Sequence, residues 1–292
     1  MQFRSRMIAA ALAGTLCGGT TLVAMVSAAG PAAGFASAGG RALLAPVPGG
    51  GSQEAHSVRG FSQIGSYNWS GWAQGSANGT YKSVVDTWQV PTVNTGVSGD
   101  QYSSDWVGIG GLNDGSLVQA GTEADNFGGT AFYQAWTEVL PAAEDPLTLV
   151  VHPGDKITTT VKLSKGKWHM TVKDVTTGQK GRRTVSAAAA GSSEASVEAI
   201  HERPCIADGC LSVDDLANLT QTTNVTFDPG KYGHTAKPKT PLMNPAAGAT
   251  VDQVFMVNNA GTAFIASPSN PDSDNDGFTV ADGNVQPSPP SS

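Results

Sequence analysis

The stretch Lys156-Ile-Thr-Thr-Thr-Val-Lys-Leu-Ser-Lys-Gly-Lys-Trp-His-Met-Thr-Val-Lys-Asp174 decides the fold class. Ile157, Thr159, Val161 and Leu163 alternate along one face, and Trp168, Met170 and Val172 alternate on the way back. A period of two is the signature of a half-buried strand. Ser164-Lys165-Gly166-Lys167 supplies the turn, so the segment reads as a β-hairpin. Working outward, similar short runs recur at 82–90, 103–109, 116–120, 131–139, 182–187, 196–202, 223–227, 251–258 and 261–266, divided by Gly, Asn, Asp and Pro. Phe278-Thr279-Val280 is a final candidate. No long amphipathic helix is found; Val213 to Leu219 suits one short helical turn. Many short strands over one long stretch imply an all-β chain forming one sandwich or barrel.

Composition agrees. The chain has 292 residues, of which 39% are hydrophobic and 14% charged, against roughly a quarter charged in an average protein. Its 36 glycines and 17 prolines oppose a helical bundle. The net charge of −7 argues against a nucleic-acid binder, which needs a basic patch to displace counterions. Residues 1–28 read as an export signal: Arg4 and Arg6 precede a small, apolar run from Met7 to about Val26, and cleavage is expected near Ala28. The glycines of this run make it a poor membrane anchor. A secreted, monomeric protein with no membrane partner after cleavage is expected. Residues 29–65 are rich in Ala, Gly, Pro and Ser and read as a prosegment or linker. Residues 66–283 form the expected sandwich domain, and 284–292, Pro- and Ser-rich, a disordered tail.

Cys205 and Cys210 remain after signal removal, in an oxidising compartment, and a disulfide across this short loop is expected. A two-cysteine metal site is the weaker alternative, because no second ligand pair is spaced for zinc. No metal and no cofactor are expected. Asp272-Ser-Asp-Asn-Asp-Gly277 resembles the start of a calcium loop, but Gly283 stands where such a loop has a bidentate Glu, so an acidic turn is preferred. Neither a G-x-S-x-G elbow nor an H-E-x-x-H helix occurs. Strand alternation over Val197–Pro204 puts Glu198, Ile200 and Glu202 on one face and Val197, Ala199 and His201 on the other. Alone, the two carboxylates read as a solvated outer face.

The order of motifs resembles the glutamic peptidases, the eqolisins of peptidase family G1. Asn68-Trp69-Ser-Gly71 is similar to the family's opening Asn-Trp-Gly/Ala-Gly, and Trp88-Gln-Val-Pro91 to its Val-Pro strand end. Asp105-Trp106-Val-Gly-Ile109 resembles Trp-Val-Gly-Ile-Asp-Gly, and Leu117-Val-Gln119-Ala-Gly121 resembles Leu-Gln-Thr-Gly. Tyr133-Gln-Ala-Trp136-Thr-Glu138 resembles Tyr-x-Ala-Trp-Tyr-Glu, and Glu198-Ala-Ile-His-Glu202-Arg-Pro204 resembles Ala-Glu-Trp-Ile-Val-Glu-Arg-Pro. Each motif is weak alone; together, in the family's order over about 66–282, they are specific. Departures at Gly110, Gln134 and Thr137 bear on substrate preference and pH profile, and those at Ala199 and His201, which replace bulkier residues, on the local packing of the glutamate's strand.

The resemblance implies an antiparallel sandwich of two long bent sheets and a secreted acid endopeptidase acting on polypeptides. It implies Glu202 as general base and then acid, with Gln119 holding the water and donating to the oxyanion. Asn68, Trp69 and Trp106 would line the substrate cleft, and Glu138 would bind substrate or tune Glu202. The pairing suits acid: a histidine base, with a pKa of about 6.5, is protonated at about pH 4, whereas a glutamate near 4.3 is still partly ionised. A weakly basic arm within 29–65 would cover the acidic cleft at neutral pH. Two rivals share the fold: a carbohydrate-binding module using the six tryptophans, and a glycoside hydrolase using Glu138 with Glu202.

Overall fold

The structure, a computed structural model, describes residues 61–112, 114–206 and 212–292. The expected signal, most of the expected prosegment and Cys210 lie outside them. Strands dominate: β1 (Phe61–Ser66), β2 (Trp69–Gly75), β3 (Ser83–Gln89), β4 (Asp100–Gln101), β5 (Ser104–Ile109), β6 (Val118–Phe127), β7 (Thr130–Val139), β8 (Asp145–Pro146), β9 (Lys156–Ser164), β10 (Lys167–Asp174), β11 (Lys180–Ser186), β12 (Ser196–Glu202), β13 (Val225–Phe227), β14 (Lys231–Gly233), β15 (Thr240–Pro241), β16 (Thr250–Val257), β17 (Phe264–Pro268) and β18 (Phe278–Asp282). Among the described residues the helical content is a single turn at Ala187–Ala190 and a 3-10 turn at Val213–Asp215.

The 156–174 segment is the hairpin its alternation requires. β9 and β10 pair from Lys167↔Ser164 to Asp174↔Ile157. Lys165 and Gly166 both take positive φ, 51° and 70°, which matches the twist of the flanking strands in a two-residue loop. This hairpin continues through β9 to β3, and through β10 to β11. It forms one layer of a sandwich. The other layer runs β1–β16–β2–β12–β5–β6–β7. β17 and β18 join the two layers through β16 and β13. Strand pairs are antiparallel, except that β1 lies parallel to β16.

The main core fills the space between the layers. Val107, Ile109, Val118, Ala120, Val197 and Ala199 meet Val84, Trp88, Ile157, Val161, Trp168 and Met170 there. The opposite face of the β2–β12–β5–β6–β7 layer carries a second apolar cluster, with Trp69, Trp106, Leu117, Trp136 and Ile200. Both faces of this sheet are therefore buried, and polar side chains on the second face sit among tryptophans.

The first strand starts at Phe61, within the stretch whose composition reads as linker. Phe61 packs edge-on to Trp72, with ring centroids 5.0 Å apart, and Ile64 packs on the second cluster. At the other end, 284–292 form no strand. Gln286 Nε2 donates to the Pro268 carbonyl at 2.9 Å, and the Ser273 and Ser292 hydroxyls lie 2.6 Å apart. Among the described residues no helix is long and apolar enough to cross a membrane.

Candidate active site

Glu202 closes β12. In the ladder it stands opposite Trp69 of β2 and Ser104 of β5. The alternation of β12 is the one its sequence requires: Val197 and Ala199 face the main core, while Ile200 faces the second cluster. Glu198 and Glu202 share the face of Ile200.

Three N–H groups converge on the Glu202 carboxylate. Asn68 Nδ2 donates to Oε1 at 3.0 Å and Trp69 Nε1 to the same oxygen at 3.2 Å. Trp106 Nε1 donates to Oε2 at 2.7 Å. The turn between β1 and β2 orients the first two. The Ser66 hydroxyl donates to Asn68 Oδ1 at 3.1 Å, which leaves the Asn68 amide nitrogen aimed at the glutamate. Ser66 Oγ also accepts from the Trp69 backbone N–H at 3.1 Å. The Trp69 and Trp106 rings meet edge to face at 5.1 Å.

Trp106 has room because of Gly121. The two are opposite in the β5–β6 ladder, and a Cβ at Gly121 would lie 2.6 Å from Trp106 Cβ and 2.2 Å from the Asp105 carbonyl oxygen. The motif glycine is thus a packing requirement of the tryptophan that holds Glu202.

Gln119 stands on β6, directly opposite Glu138 of β7. Its Nε2 donates to Glu138 Oε2 at 2.5 Å, and its Oε1 has no hydrogen-bond partner among the described residues. Gln119 and Glu202 face the same side of the sheet without bonding to each other directly. The Trp106 indole spans the interval between them. Its Nε1 holds Glu202, while its ring edge lies beside Gly108, the residue opposite Gln119. A Cβ at Gly108 would lie 2.9 Å from Trp106 Cζ3 and 3.4 Å from Gln119 Cβ.

Electrostatically, the site contains two opposed influences. Burial pushes the Glu202 carboxyl up to about 8, against the three N–H donors and the charge of His201, which favour its ionised form. Burial raises Glu198 well above the usual carboxylate range, and the Ser196 hydroxyl acts the other way. Burial raises Glu123 on β6, and burial with the Glu123 charge raises Asp125 on the same strand and Glu144 in the β7–β8 loop well above that range.

The sequence-predicted residues therefore gather in two groups. Asn68, Trp69 and Trp106 hold Glu202, and Glu138 holds Gln119. Cys205 is buried, and its expected partner lies outside the described residues. Residues passed over in the sequence are Ser66, which aims Asn68, and the buried pair His201–Asp105 behind Glu202, at 2.8 Å. The signal for that pair was present: His201 and Asp105 are the residues before Glu202 and Trp106 in their motifs.

The two rival readings lose their footing here. All six tryptophans are 2% exposed or less, so none offers a stacking platform for sugar. Glu138 and Glu202 lie on strands β7 and β12, separated by β5 and β6, with different hydrogen-bond donors. They do not form a facing carboxylate pair.

The sequence profile described as the Peptidase A4 family matches residues 67–275. No curated protein matches the chain by sequence. Several solved structures share its fold, two of them as follows. A crystal structure of scytalido-glutamic peptidase with a transition state analog inhibitor is 21% identical, with a TM-score of 0.60 over 74% of this chain and 98% of its own. A structure of SCP-B, an eqolisin family member in complex with the tripeptide Ala-Ile-His, is 22% identical, with a TM-score of 0.55 over the same shares.

Proposed function

The chain belongs to the Peptidase A4 family and is a peptidase; from that premise we propose that it is a secreted glutamic endopeptidase whose base is Glu202 and whose oxyanion donor is Gln119. The observation that carries the reading is the convergence of three N–H groups on both oxygens of one buried carboxylate. Such a set orients a carboxylate and favours its ionised form. Glu202 takes a proton from a water as that water attacks the peptide carbonyl, and returns it to the leaving amine. The Gln119 amide donates to the oxygen that gains charge. Glu138 fixes which way that amide points. Asn68, Trp69 and Trp106 act through Glu202.

The proposal extends to activity in acid. Burial pushes the Glu202 carboxyl up to about 8 in the free protein, and activity in acid requires a lower value in the substrate complex. The three donors remain, and they draw the value towards the ordinary glutamate range of about 4.3. The base works when ionised, so the rate rises with pH through the Glu202 value. The part of segment 29–65 that precedes β1 is proposed as a prosegment, removed or displaced in acid, and the Cys205–Cys210 disulfide as a staple of the loop after β12.

The test is hydrolysis of denatured casein between about pH 3 and pH 8, a range that brackets the ordinary and the raised glutamate values. Wild type is compared with folded Glu202→Gln and Gln119→Ala, with pepstatin present. Pepstatin-resistant activity lost in both variants is expected. Activity retained in both overturns the assignment of the pair.

A further inference from the structure

The Asp272-Ser-Asp-Asn-Asp-Gly277 loop lacks a glutamate at the twelfth position, but other strands bring carboxylates to it. Asp272 and Asp276 precede β18, and Asp228 follows β13. One oxygen from each lies within 4.8 Å of the others. A calcium ion with oxygens at about 2.3–2.6 Å spans such a set.

A fourth carboxylate reaches the same place from the core. Asp86 on β3 shares its strand face with Val84 and Trp88, both in the main core, and it is fully buried. An apolar residue is expected at that point of the alternation. One oxygen, Oδ1, accepts from the Thr87 backbone N–H at 2.7 Å. The other, Oδ2, has no hydrogen-bond partner among the described residues. It is aimed at the turn that carries Asp228: a Cβ at Gly230 would lie 2.5 Å from Asp86 Oδ2 and 3.1 Å from the Asp276 carbonyl oxygen. Asp272, only 6% exposed, likewise has one oxygen, Oδ2, without a partner. The nearby cations are Lys231, whose Nζ is 3.3 Å from Asp276 Oδ2, and Lys156, whose charge acts on Asp228. Neither is bonded to the buried Asp86 Oδ2 or Asp272 Oδ2, and a buried charge without a counterion is costly.

We propose that Asp86, Asp228, Asp272 and Asp276 form a binding site for a hard divalent cation, with calcium as the ion that fits. The donors are all oxygens, with no histidine or cysteine in the set, which favours calcium over zinc. A set of several protein carboxylates also favours calcium over magnesium, which keeps several waters and is usually held by only one or two carboxylates. The ion would tie β3 of one layer to the β13–β14 turn and to the loop entering β18, the strand that helps join the layers. This site is remote in sequence and strand from Gln119 and Glu202, and the inference does not depend on the peptidase assignment.

The test uses the full-length protein, freed of metal with EGTA and titrated with CaCl2 at about pH 7, where aspartates ordinarily ionise. Calorimetry should give one ion per chain with a dissociation constant of about 10⁻⁴ M or tighter, at the strong end of extracellular calcium sites. The melting temperature should rise with calcium and much less with MgCl2. Asp228 lies in a half-buried turn, so Asp228→Asn should fold, and it should weaken binding at least about tenfold, since site charge sets affinity. Asp276→Asn, on a different loop, should do the same. No saturable heat and no shift in melting temperature up to about 10 mM CaCl2, beyond the range of weak extracellular sites, would overturn the proposal. So would calcium binding that both variants leave unchanged.

Discussion

The indole N–H of Trp106 donates to Glu202 Oε2 at 2.7 Å, and it is the donor found on that oxygen among the described residues. Asn68 and Trp69 share the other oxygen. Trp106→Phe keeps an aromatic ring in the cluster and removes this one bond. A hydrogen bond to a charged group contributes about 1.5–3 kcal/mol, or roughly one to two pKa units. The donor favours the ionised carboxylate, so its loss raises the Glu202 pKa. The ascending limb of kcat/KM against pH should move up by about one unit or more, with little change in the fold. Trp69→Phe should shift it less, because Asn68 still serves Oε1. A limb that stays in place in Trp106→Phe would mean that Glu202 is not the group it reports.

Glu138 determines how Gln119 is presented. The two residues are opposite in the β6–β7 ladder, and the 2.5 Å bond fixes the amide nitrogen toward β7. In Glu138→Gln the partner is an amide, which can donate as well as accept, and Gln119 loses its fixed orientation. A misplacement of about 1 Å at a reacting group can cost about a hundredfold in rate. The expected outcome is a fall in kcat of roughly ten- to a hundredfold with KM nearly unchanged. A rise in KM at constant kcat would instead make Glu138 a substrate-binding residue.

Local pattern was enough for some of this architecture and not for the rest. The β9–β10 hairpin and the two faces of β12 follow from strict alternation, a property that each strand carries alone. What Asn68, Trp69 and Trp106 bond to does not, because it is set by the register of β2 and β5 on β12. Ladder register joins residues more than 90 positions apart, beyond the reach of any local period. Gln119 and Glu138 are only 19 positions apart, yet their pairing also requires a register, that of β6 on β7. β1 escaped notice because Ser62 and Gln63 dilute its apolar residues and its parallel partner β16 is distant in sequence. Asp86 shows the opposite case. It breaks the apolar alternation of Val84 and Trp88, and that break is readable, but its meaning depends on a turn some 140 residues away.

Behind Glu202, on the other face of β12, His201 Nδ1 lies 2.8 Å from Asp105 Oδ1, and both side chains are buried. The Asp105 charge and hydrogen bond raise the imidazole pKa against its desolvation. Removing one partner of a buried pair strands the other charge and costs about 3–5 kcal/mol, whereas replacing both can be nearly neutral. His201→Ala should therefore lower stability by about that amount, and Asp105→Ala in the same background should recover part of it. Denaturant unfolding of the two single variants and the double variant measures the coupling. Additive losses, with no recovery in the double variant, would show that the pair contributes only packing.

The carboxyls of this fold should make it more stable in mild acid than near neutrality. Burial is the largest cause of the upward shifts at Glu123, Asp125, Glu144, Glu198, Glu202 and Asp282. Below the unfolded values of about 3.9–4.3, both states are protonated and these groups are accommodated at no ionisation cost. As pH rises through the interval up to the folded value, which reaches about 8 for Glu202, the unfolded chain ionises while the folded chain resists. The unfolded state then binds fewer protons, so stability falls with pH. His201 acts in the same sense, since its raised pKa contributes below about 6.5 and is lost as pH climbs through the folded value. Asp114 and Asp174, held low mainly by hydrogen bonds, act in the opposite sense. They lose their contribution as pH falls, but they are outnumbered. Urea unfolding of the metal-free protein should give a higher midpoint at about pH 4.5 than at about pH 7.5, on either side of the ordinary histidine range. A midpoint that rises toward neutral pH would show that ion pairs, rather than buried neutral carboxyls, dominate the fold.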